Sequence, residues 1–406
     1  MTPRRSDASR ATRRDEVREA AEARADAAVE LLRELVEHES TVGSDSLRAC
    51  IEVIERHVGG HAETIEHFDF DGVPASVMSF GRGDPARRLT FACHVDVVPA
   101  DAGDWTCPPF SLTRDGGRIF GRGTADMKGG VAASVCAIEL VAELCGVDEL
   151  SLELVLTADE EVGSARGTQA LLAAGAVRGR WAVCPEPTGL DVFLGNRGNV
   201  GLDVAIHGKG GHAGMSHALQ SPIDAAIESL AQLRAMPLPA FDERFDPPRP
   251  SLTVTSITAP SSARNVVPDH AAYTIDRRLL PSEETADAIA EIQRVLARAC
   301  PPPLRVTTSV VREWPPYALE PEEPIVKMAA AATTAAGRPP RLGMDNATND
   351  SSWLVRAGIP TVLLGPGEPE QAHIADESID ATDLPSATEI YAHLMLGATT
   401  GSSAAG

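Results

Sequence analysis

"LELVLTADEEVGS" occupies residues 152–164 and joins an apolar run to three consecutive acids. The run Leu152–Leu156 predicts a buried strand, because such strands are short, continuous apolar stretches. Glu160 and Glu161 therefore stand side by side where the strand ends. Solvated acids are common there, and "DEE" also suits the start of a helix. In the functional alternative, one glutamate coordinates a metal and the other is a general base for a metal-bound water.

Two further motifs place metal-binding residue types after predicted strands. In "FACHVDVVPA", His94 and Asp96 end a strand predicted at 89–92 and project to the same side. A carboxylate beside a metal-binding histidine commonly orients the ring. In "CPEPT", Glu186 follows a strand at 181–183 in a stiff turn between prolines. Each motif taken alone is more often a satisfied polar pair or a surface turn than a metal site.

Asp126 and His373 extend this set. Asp126 lies in "GRGTADMKGG", directly before a predicted helix at 129–145, where an N-cap acid is ordinarily expected. A phosphate loop is disfavoured, because the Walker spacing is absent and Lys128 precedes the glycines. His373 lies in "AHIADES", downstream of the strand and turn "TVLLGPGE".

The hypothesis depends on the whole set of two imidazoles and three carboxylates: His94, Asp126, Glu161, Glu186 and His373. Open α/β sheets bind ligands at the carboxyl ends of their strands, where at least three of these residues are predicted. Two divalent ions with one bridging carboxylate need a set of this kind. Nitrogen and oxygen ligands without thiolates suit zinc, and also cobalt or manganese.

The pattern of elements predicts an α/β fold with a mostly parallel sheet and an inserted domain. Before residue 196, helices at 12–37 and 44–58 precede alternating strands and helices. Residues 196–313 instead give the order βαββαβ, typical of a ferredoxin-like plan. We therefore divide the chain into a catalytic domain over 1–195 and 314–406, interrupted by a smaller domain over 196–313.

Composition narrows the classes of function and location. The formal net charge of −22 argues against nucleic acid or anionic membranes as partners, and no apolar run reaches transmembrane length. The seven cysteines are scattered without a CxxC pair, which fits free thiols in a cytoplasmic protein. The Arg-rich N-terminus indicates a solvated tail leading into a helix rather than a signal peptide.

Over roughly residues 30–400, the motifs "HVDVVP…W…PPF", "GRGTADMKGG", "TADEEVGS", "CPEPT" and "GPGE…H" resemble those of the M20 metallopeptidases. These include acetylornithine deacetylase, succinyl-diaminopimelate desuccinylase, aminoacylase and glutamate carboxypeptidase. The resemblance implies that one ion is held by His94, Asp126 and Glu186, and a second by Asp126, Glu161 and His373. It further implies that Asp96 orients His94 and that Glu160 is the base, which later protonates the leaving amine.

The inserted segment is similar to the family's lid or dimerisation domain. This likeness implies that His212 in "GKGGHAG" stabilises the oxyanion, often across a homodimer. It also implies that Asn265 and Arg278 bind substrate, and that the turn Gly365–Gly367 lies along it. A guanidinium matches an α-carboxylate, although a solvated strand-end charge is the plainer interpretation of Arg278.

The predicted function is therefore a di-metal amidohydrolase that cleaves the amide bond of an N-acyl amino acid, as acetylornithine deacetylase does. Glu186 favours this over the alternative, a dipeptidase or carboxypeptidase, because aspartate is more typical at that position in the family's dipeptidases. A non-catalytic binding protein would have lost a ligand or the base, and all are present. A serine hydrolase is disfavoured because the GxSxG elbow is absent.

Overall fold

The chain forms two compact units in the computed structural model, which describes residues 5–148 and 150–400. The first unit comprises the described residues up to Gly195, Leu319–Gly343, and those from Trp353 onward. The second comprises Asn196–Ala318 and Met344–Ser352. The sequence predicts that residues 344–352 belong to the catalytic domain. The structure groups them with the second unit, where the Asn196 side-chain amide donates to Asn349 and Ser351.

The strands, in chain order, are β1 Thr64–Phe70, β2 Val73–Phe80, β3 Leu89–His94, β4 Thr113–Asp115, β5 Arg118–Phe120, β6 Leu152–Thr157, β7 Trp181–Cys184, β8 Val192–Asn196, β9 Gly198–His207, β10 Gly211–His212, β11 Ser251–Thr258, β12 Val266–Val267, β13 His270–Leu279, β14 Arg305–Trp314, β15 Tyr317–Ala318, β16 Leu342–Asp345, β17 Thr361–Leu363 and β18 Ser378–Asp380. The helices are α1 Arg5–Ala23, α2 Ala25–Val36, α3 Ser46–Val58, α4 Gly129–Cys145, α5 Thr168–Ala173, α6 Pro222–Arg234, α7 Thr285–Ala299, α8 Pro324–Ala335, α9 Ser351–Arg356 and α10 Asp383–Thr400.

The large sheet has the order β1-β2-β6-β3-β7-β17-β8-β15, and β16 also pairs with β8. Its centre, β6-β3-β7-β17, is parallel, whereas β1, β2 and β8 join it in antiparallel pairs. All residues of β2, β3 and β6 are buried, as expected for strands covered on both faces. The predicted α/β fold with a parallel sheet is therefore confirmed for the centre of the sheet, and its edges are mixed.

Helix α4 is apolar on nearly all sides because it is enclosed by other elements. Its small residues allow close packing, and it contacts both α2 and α10. The prediction of a single helix at 12–37 is wrong, because this region forms two helices. The chain breaks at Arg24 into α1 and α2, and α1 begins at Arg5. The predicted N-terminal tail falls partly on residues 1–4, outside the described residues.

In the second unit, four antiparallel strands pair in the order β11-β13-β9-β14. With α6 after β9 and α7 after β13, this is the βαββαβ arrangement that the sequence predicts. Alternate residues of β9 are buried, and Val200, Leu202, Val204 and Ile206 form one core with α7. Across the described helices, none has the length and apolarity needed to cross a membrane.

Candidate metal centre

Three adjacent parallel strands deliver three of the predicted ligands to one edge of the sheet. Strand β3 ends at His94, and it lies between β6, which leads to Glu161, and β7, which leads to Glu186. Parallel neighbours end at the same edge, so residues more than ninety positions apart, such as His94 and Glu186, come together there. The order of the strands thus assembles this part of the centre.

The first ligand group consists of His94, Asp126 and Glu186. His94 Nε2 lies 3.1 Å from Asp126 Oδ1 and 3.9 Å from Glu186 Oε1. All three side chains are largely buried, with exposures of 1%, 14% and 8%. The N-cap interpretation of Asp126 is not supported, because α4 begins at Gly129, with Lys128 in the cap position. The Asp126 carboxylate instead faces histidines.

The second ligand group consists of Asp126, Glu161 and His373. His373 Nε2 lies 3.2 Å from Asp126 Oδ2 and 3.0 Å from Glu161 Oε2. His373 has a φ of 66° in the loop that follows the 3₁₀ turn Pro369–Gln371. Each oxygen of Asp126 therefore serves a different group, which is the arrangement expected of a bridging carboxylate.

The donor set fits two divalent ions. Within each group the ligand atoms lie within 4.8 Å of one another, and they are imidazole nitrogens and carboxylate oxygens. Zinc, cobalt and manganese all accept such ligands. Glu160 belongs to neither group, so the neighbouring glutamates of the "DEE" stretch are distinguished by the geometry.

The imidazoles and carboxylates of the two ligand groups shift one another's pKa values. Burial disfavours the charged imidazole of His94, but its hydrogen bond to Asp126 and the nearby Asp96 carboxylate raise its pKa well above the ordinary value. Hydrogen bonds to Asp126 and Glu161 raise the pKa of His373 to about 10. Against the opposing effect of burial, the same two histidines lower the pKa of Asp126. Burial raises the pKa of Glu161. Each ion must displace the proton of the imidazole in its own ligand group to bind.

Asp96 contacts both the first histidine and the second ligand loop. His94 Nδ1 lies 3.0 Å from the Asp96 backbone oxygen and 3.6 Å from its Oδ1. The closer partner of the ring is thus the carbonyl rather than the carboxylate that sequence analysis assigns. The other carboxylate oxygen, Oδ2, accepts the backbone N–H of Glu161 at 3.0 Å. Asp96 therefore ties the ends of β3 and β6 together.

Glu160 and Asp159 lie in the turn after β6, and both are buried. Asp159, for which the sequence suggests no role, shapes this turn. Its Oδ2 accepts the Arg166 N–H at 2.7 Å, and its backbone oxygen accepts Ser164 N at 2.9 Å. Asp159 thus closes the loop that carries Glu160 and Glu161.

In the second unit, a short two-stranded ribbon brings His212 and Asn265 together. His212 pairs with Val266, and Ala213 N donates to the Asn265 oxygen. His212 Nδ1 accepts the Gly214 N–H at 3.0 Å, so the proton of the neutral ring lies on Nε2. The Asn265 Nδ2 atom lies 3.2 Å from Nε2. Because two N–H donors cannot share one hydrogen bond, we exchange the amide nitrogen and oxygen of Asn265, so that the oxygen accepts from Nε2.

Arg278 lies on β13 of the same unit. Its Nε donates to Asp276 Oδ1 at 2.8 Å, and the Asp276 carboxylate also accepts the Asn199 side-chain amide. The plainer interpretation, a strand-end ion pair, therefore describes this arrangement, and substrate binding by Arg278 stays a prediction.

Gly365 and Gly367 are buried, and the structure gives both a packing reason. A Cβ at Gly365 would lie 2.3 Å from the Pro185 oxygen and 2.4 Å from the Glu186 oxygen. Gly367 has a φ of 83°, and a Cβ there would meet Ile379 at 2.7 Å. Gly365 lets the strand-end turn pack against the Glu186 turn, and Gly367 lets it pack against Ile379 and Ala125. Contact of these glycines with substrate stays a prediction.

Three buried charged residues around Asp126 escape the sequence analysis. The fully buried carboxylate of Glu377 accepts from the loop that carries Asp126 and forms an ion pair with Arg122. On the other side, the Lys128 ammonium donates to the backbone oxygens of Leu35 and His38. A burial pattern cannot reveal such partners, because they lie far away in the sequence. In the sequence, the feature that could have indicated Glu377 is the pair of adjacent acids "DE" at 376–377, just after a ligand histidine.

Comparison with known proteins identifies the family. The model of peptidase family M20/M25/M40 matches residues 90–397. The chain is 30% identical over 377 residues to a succinyl-diaminopimelate desuccinylase of Gluconacetobacter diazotrophicus, covering 90% of this chain and 95% of the relative. Two solved structures of lower sequence identity show a similar fold, and no more than the fold is inferred from them. A metallo-carboxypeptidase of the M20 family from Sulfolobus solfataricus superposes with a TM-score of 0.77 at 17% identity, over 92% of this chain and 99% of the other.

The second structure is a dinuclear metal-binding peptidase of the M20 family from Bacillus subtilis. It superposes with a TM-score of 0.68 at 18% identity, over 92% of this chain and 98% of that one. The family model covers most of the chain, including all five candidate ligands. The chain therefore belongs to peptidase family M20/M25/M40 and is a hydrolase of amide bonds.

Proposed function

We propose that this protein hydrolyses the amide bond of an N-acylated amino acid at a centre of two divalent metal ions. The observation that carries the proposal is the pair of ligand groups joined by Asp126. His94 and Glu186 would complete the site of one ion, and Glu161 and His373 the site of the other. When bound, such ions polarise an amide carbonyl and lower the pKa of water. Zinc is the first candidate, with cobalt and manganese as alternatives.

Glu160 is the base in this proposal. It is buried beside Glu161 and belongs to neither ligand group, so neither ion would need its carboxylate as a ligand. Glu160 takes a proton from the attacking water and delivers it to the nitrogen of the leaving amine. Positioned carboxylates in this role typically contribute about 10²–10⁴ in rate.

His212 supplies the oxyanion donor. The Gly214 N–H occupies its Nδ1, and this hydrogen bond fixes the tautomer in which Nε2 carries the proton. An N–H donor of this kind stabilises the charge that develops on a carbonyl oxygen, typically by about 10²–10³ in rate. Asn265 orients the ring through Nε2 until substrate takes its place.

The substrate is expected to carry a free α-carboxylate and a small acyl group. The relative from Gluconacetobacter diazotrophicus is named for removal of a succinyl group, which supports an acylated amino acid as the substrate class. The narrower expectation, an activity like that of acetylornithine deacetylase, stays a prediction. Arg278 is the candidate for the carboxylate, and binding would redirect its guanidinium from Asp276.

A substrate panel tests the proposal. The metal-free protein, reloaded in turn with zinc, cobalt or manganese, is assayed with N-acetyl and N-succinyl amino acids and with dipeptides. We expect turnover of acylated amino acids that disappears on chelation and returns with an added ion. Rapid hydrolysis of dipeptides without turnover of any acylated amino acid would instead identify the alternative, a dipeptidase or carboxypeptidase.

A homodimer in which His212 serves the partner's centre is part of the proposal. Mixing inactive Glu160→Ala and His212→Ala subunits would then restore about a quarter of wild-type activity, because half of the dimers are mixed and each has one complete centre. No recovery, with mixed dimers verified by mass, would contradict this arrangement. A cytoplasmic location is also proposed, since all seven cysteines lie in the described part of the chain as free thiols.

A further inference from the structure

Glu377 is a fully buried carboxylate whose hydrogen bonds all go to one loop. Its Oε2 accepts Arg122 Nη1 at 2.7 Å and Gly123 N at 3.0 Å. Its Oε1 accepts Ala125 N at 2.8 Å and Asp126 N at 3.1 Å. Burying a carboxylate is costly unless donors surround it, and here three of the four donors are consecutive or nearly consecutive backbone groups.

The neighbouring backbone fixes Glu377 in this position. Strand β18 begins directly after it and pairs with β5, in the register Ser378 to Phe120. The Glu377 backbone oxygen accepts Gly121 N at 3.0 Å, so main chain and side chain hold the same loop. The Arg122 guanidinium, which is the counter-charge of Glu377, also stacks over the Trp105 ring at 5.1 Å, and this contact restricts its movement. The path of the chain into Asp126 is thereby determined.

We propose that Glu377 is a positioning residue for the metal centre: by fixing the backbone at Asp126, it sets the affinity for both ions at once. This inference rests on the proposed function, in which Asp126 binds both ions. Since Asp126 is the one member common to the two ligand groups, a displaced Asp126 weakens both sites together. A merely structural Glu377 would affect stability and leave the ion affinities unchanged.

Asp376 provides a matched control. This adjacent carboxylate also accepts two hydrogen bonds from a distant loop, the N–H of Thr106 at 2.8 Å and its hydroxyl at 3.0 Å. The Thr106 loop contains none of the five candidate ligands. Asp376→Asn therefore disturbs the same segment, next to the same residue, without releasing Asp126.

The experiment titrates metal-free wild type, Glu377→Gln and Asp376→Asn with Co²⁺, followed by calorimetry and by the visible absorption of bound cobalt. In Glu377→Gln, one carboxylate oxygen becomes an amide NH₂. This donor must face backbone N–H groups or Arg122, which are also donors, so the hydrogen bonds at that position are lost. We expect its Co²⁺ affinity to fall about 10–100-fold at both sites, the range typical of residues that support metal ligands. Asp376→Asn is expected to stay within about twofold of wild type. Excess Co²⁺ should restore much of the activity of Glu377→Gln.

The proposal is overturned if Glu377→Gln binds both ions with wild-type affinity, if it weakens one site alone, or if Asp376→Asn weakens binding as much. If circular dichroism shows that Glu377→Gln is unfolded, Glu377→Asp takes its place, and wild-type affinity in that variant overturns the proposal equally.

Asp126→Asn separates this inference from the proposed function. Retention of both ions in Asp126→Asn would refute the metal centre itself. Loss of both there, with normal binding in Glu377→Gln, would refute the positioning role alone.

Discussion

The two ligand groups share Asp126, yet the chain supports their other members differently. His94 and Glu186 follow neighbouring parallel strands, and their side chains are 1% and 8% exposed. His373 lies on a loop at positive φ, and its side chain is 52% exposed. In the first group, the sheet therefore positions both members other than Asp126. In the second group it positions Glu161, which follows β6, whereas His373 depends on its loop. Loss of a histidine ligand should therefore lower the free energy of unfolding by different amounts in the two groups, even if both groups contribute equally to the chemistry.

The largest effect is expected from the adjacent glutamates. Glu160→Gln should lower kcat by about 10²–10⁴ while both ions remain bound, because it removes the base and no ligand. Glu161→Gln should lose one of two ions under conditions that saturate wild type, because its oxygen faces His373. Metal content by mass spectrometry, measured beside kcat, separates these outcomes. Equal metal contents in the two variants would remove the distinction between base and ligand.

The second prediction compares the two histidines. His94→Ala removes the imidazole beside the buried Glu186 carboxylate and one of the two imidazoles beside Asp126, so the free energy of unfolding of the metal-free protein should fall by about 3–5 kcal/mol. His373 is half exposed, so water screens its ion pairs and His373→Ala should lower the free energy of unfolding by less than His94→Ala does. Denaturant titrations measure both values, and each variant should retain one ion fewer than wild type.

His67→Ala is the control for this pair, because the exposed His67 side chain also contacts a carboxylate, Glu55, at 2.8 Å. It should retain both ions and nearly all stability. Similar losses of stability in His94→Ala and His373→Ala would show that the sheet does not support the first group more firmly than the loop supports the second.

Sequence reasoning is most successful where local pattern and sheet geometry coincide. Strand β6 reads as an apolar run ending in acids, and the carboxyl ends of parallel strands must meet at one edge, so Glu161 and His94 could be grouped without coordinates. The order βαββαβ over residues 196–313 similarly predicts the second unit, in which β9 buries alternate residues.

What the pattern leaves out depends on distant partners or lies at sheet edges. Strand β1 has no fully buried residue, and its exposed charges resemble a loop. Glu377 looks like surface charge in the sequence, because its hydrogen-bond donors are more than 250 residues away. Asp159 and Lys128 are missed for a different reason: their partners are backbone groups, which leave no trace in residue types.

The smallest expected effect is the pH dependence of the metal-free protein, which tests the exposed member of the second group. Carboxylates raise the pKa of His373 to about 10, from an unfolded value of about 6.5. A group whose pKa is raised on folding stabilises the protein fully below its unfolded pKa, and this stabilisation is lost as pH rises through the folded pKa. The thermal midpoint of metal-free wild type should therefore decline between about pH 7 and pH 10, and that of His373→Ala should decline less.

Metal binding should show the opposite trend over the same interval, because each bound ion displaces a proton from an imidazole. Co²⁺ affinity should rise by up to about tenfold per pH unit for each displaced proton, since one pH unit corresponds to about 1.4 kcal/mol. In His373→Ala, the ion that remains depends on His94, whose pKa is also raised, so its affinity should still increase with pH. A pH-independent affinity in wild type would mean that the imidazoles are already neutral, and the charge pairing around Asp126 would then be wrong.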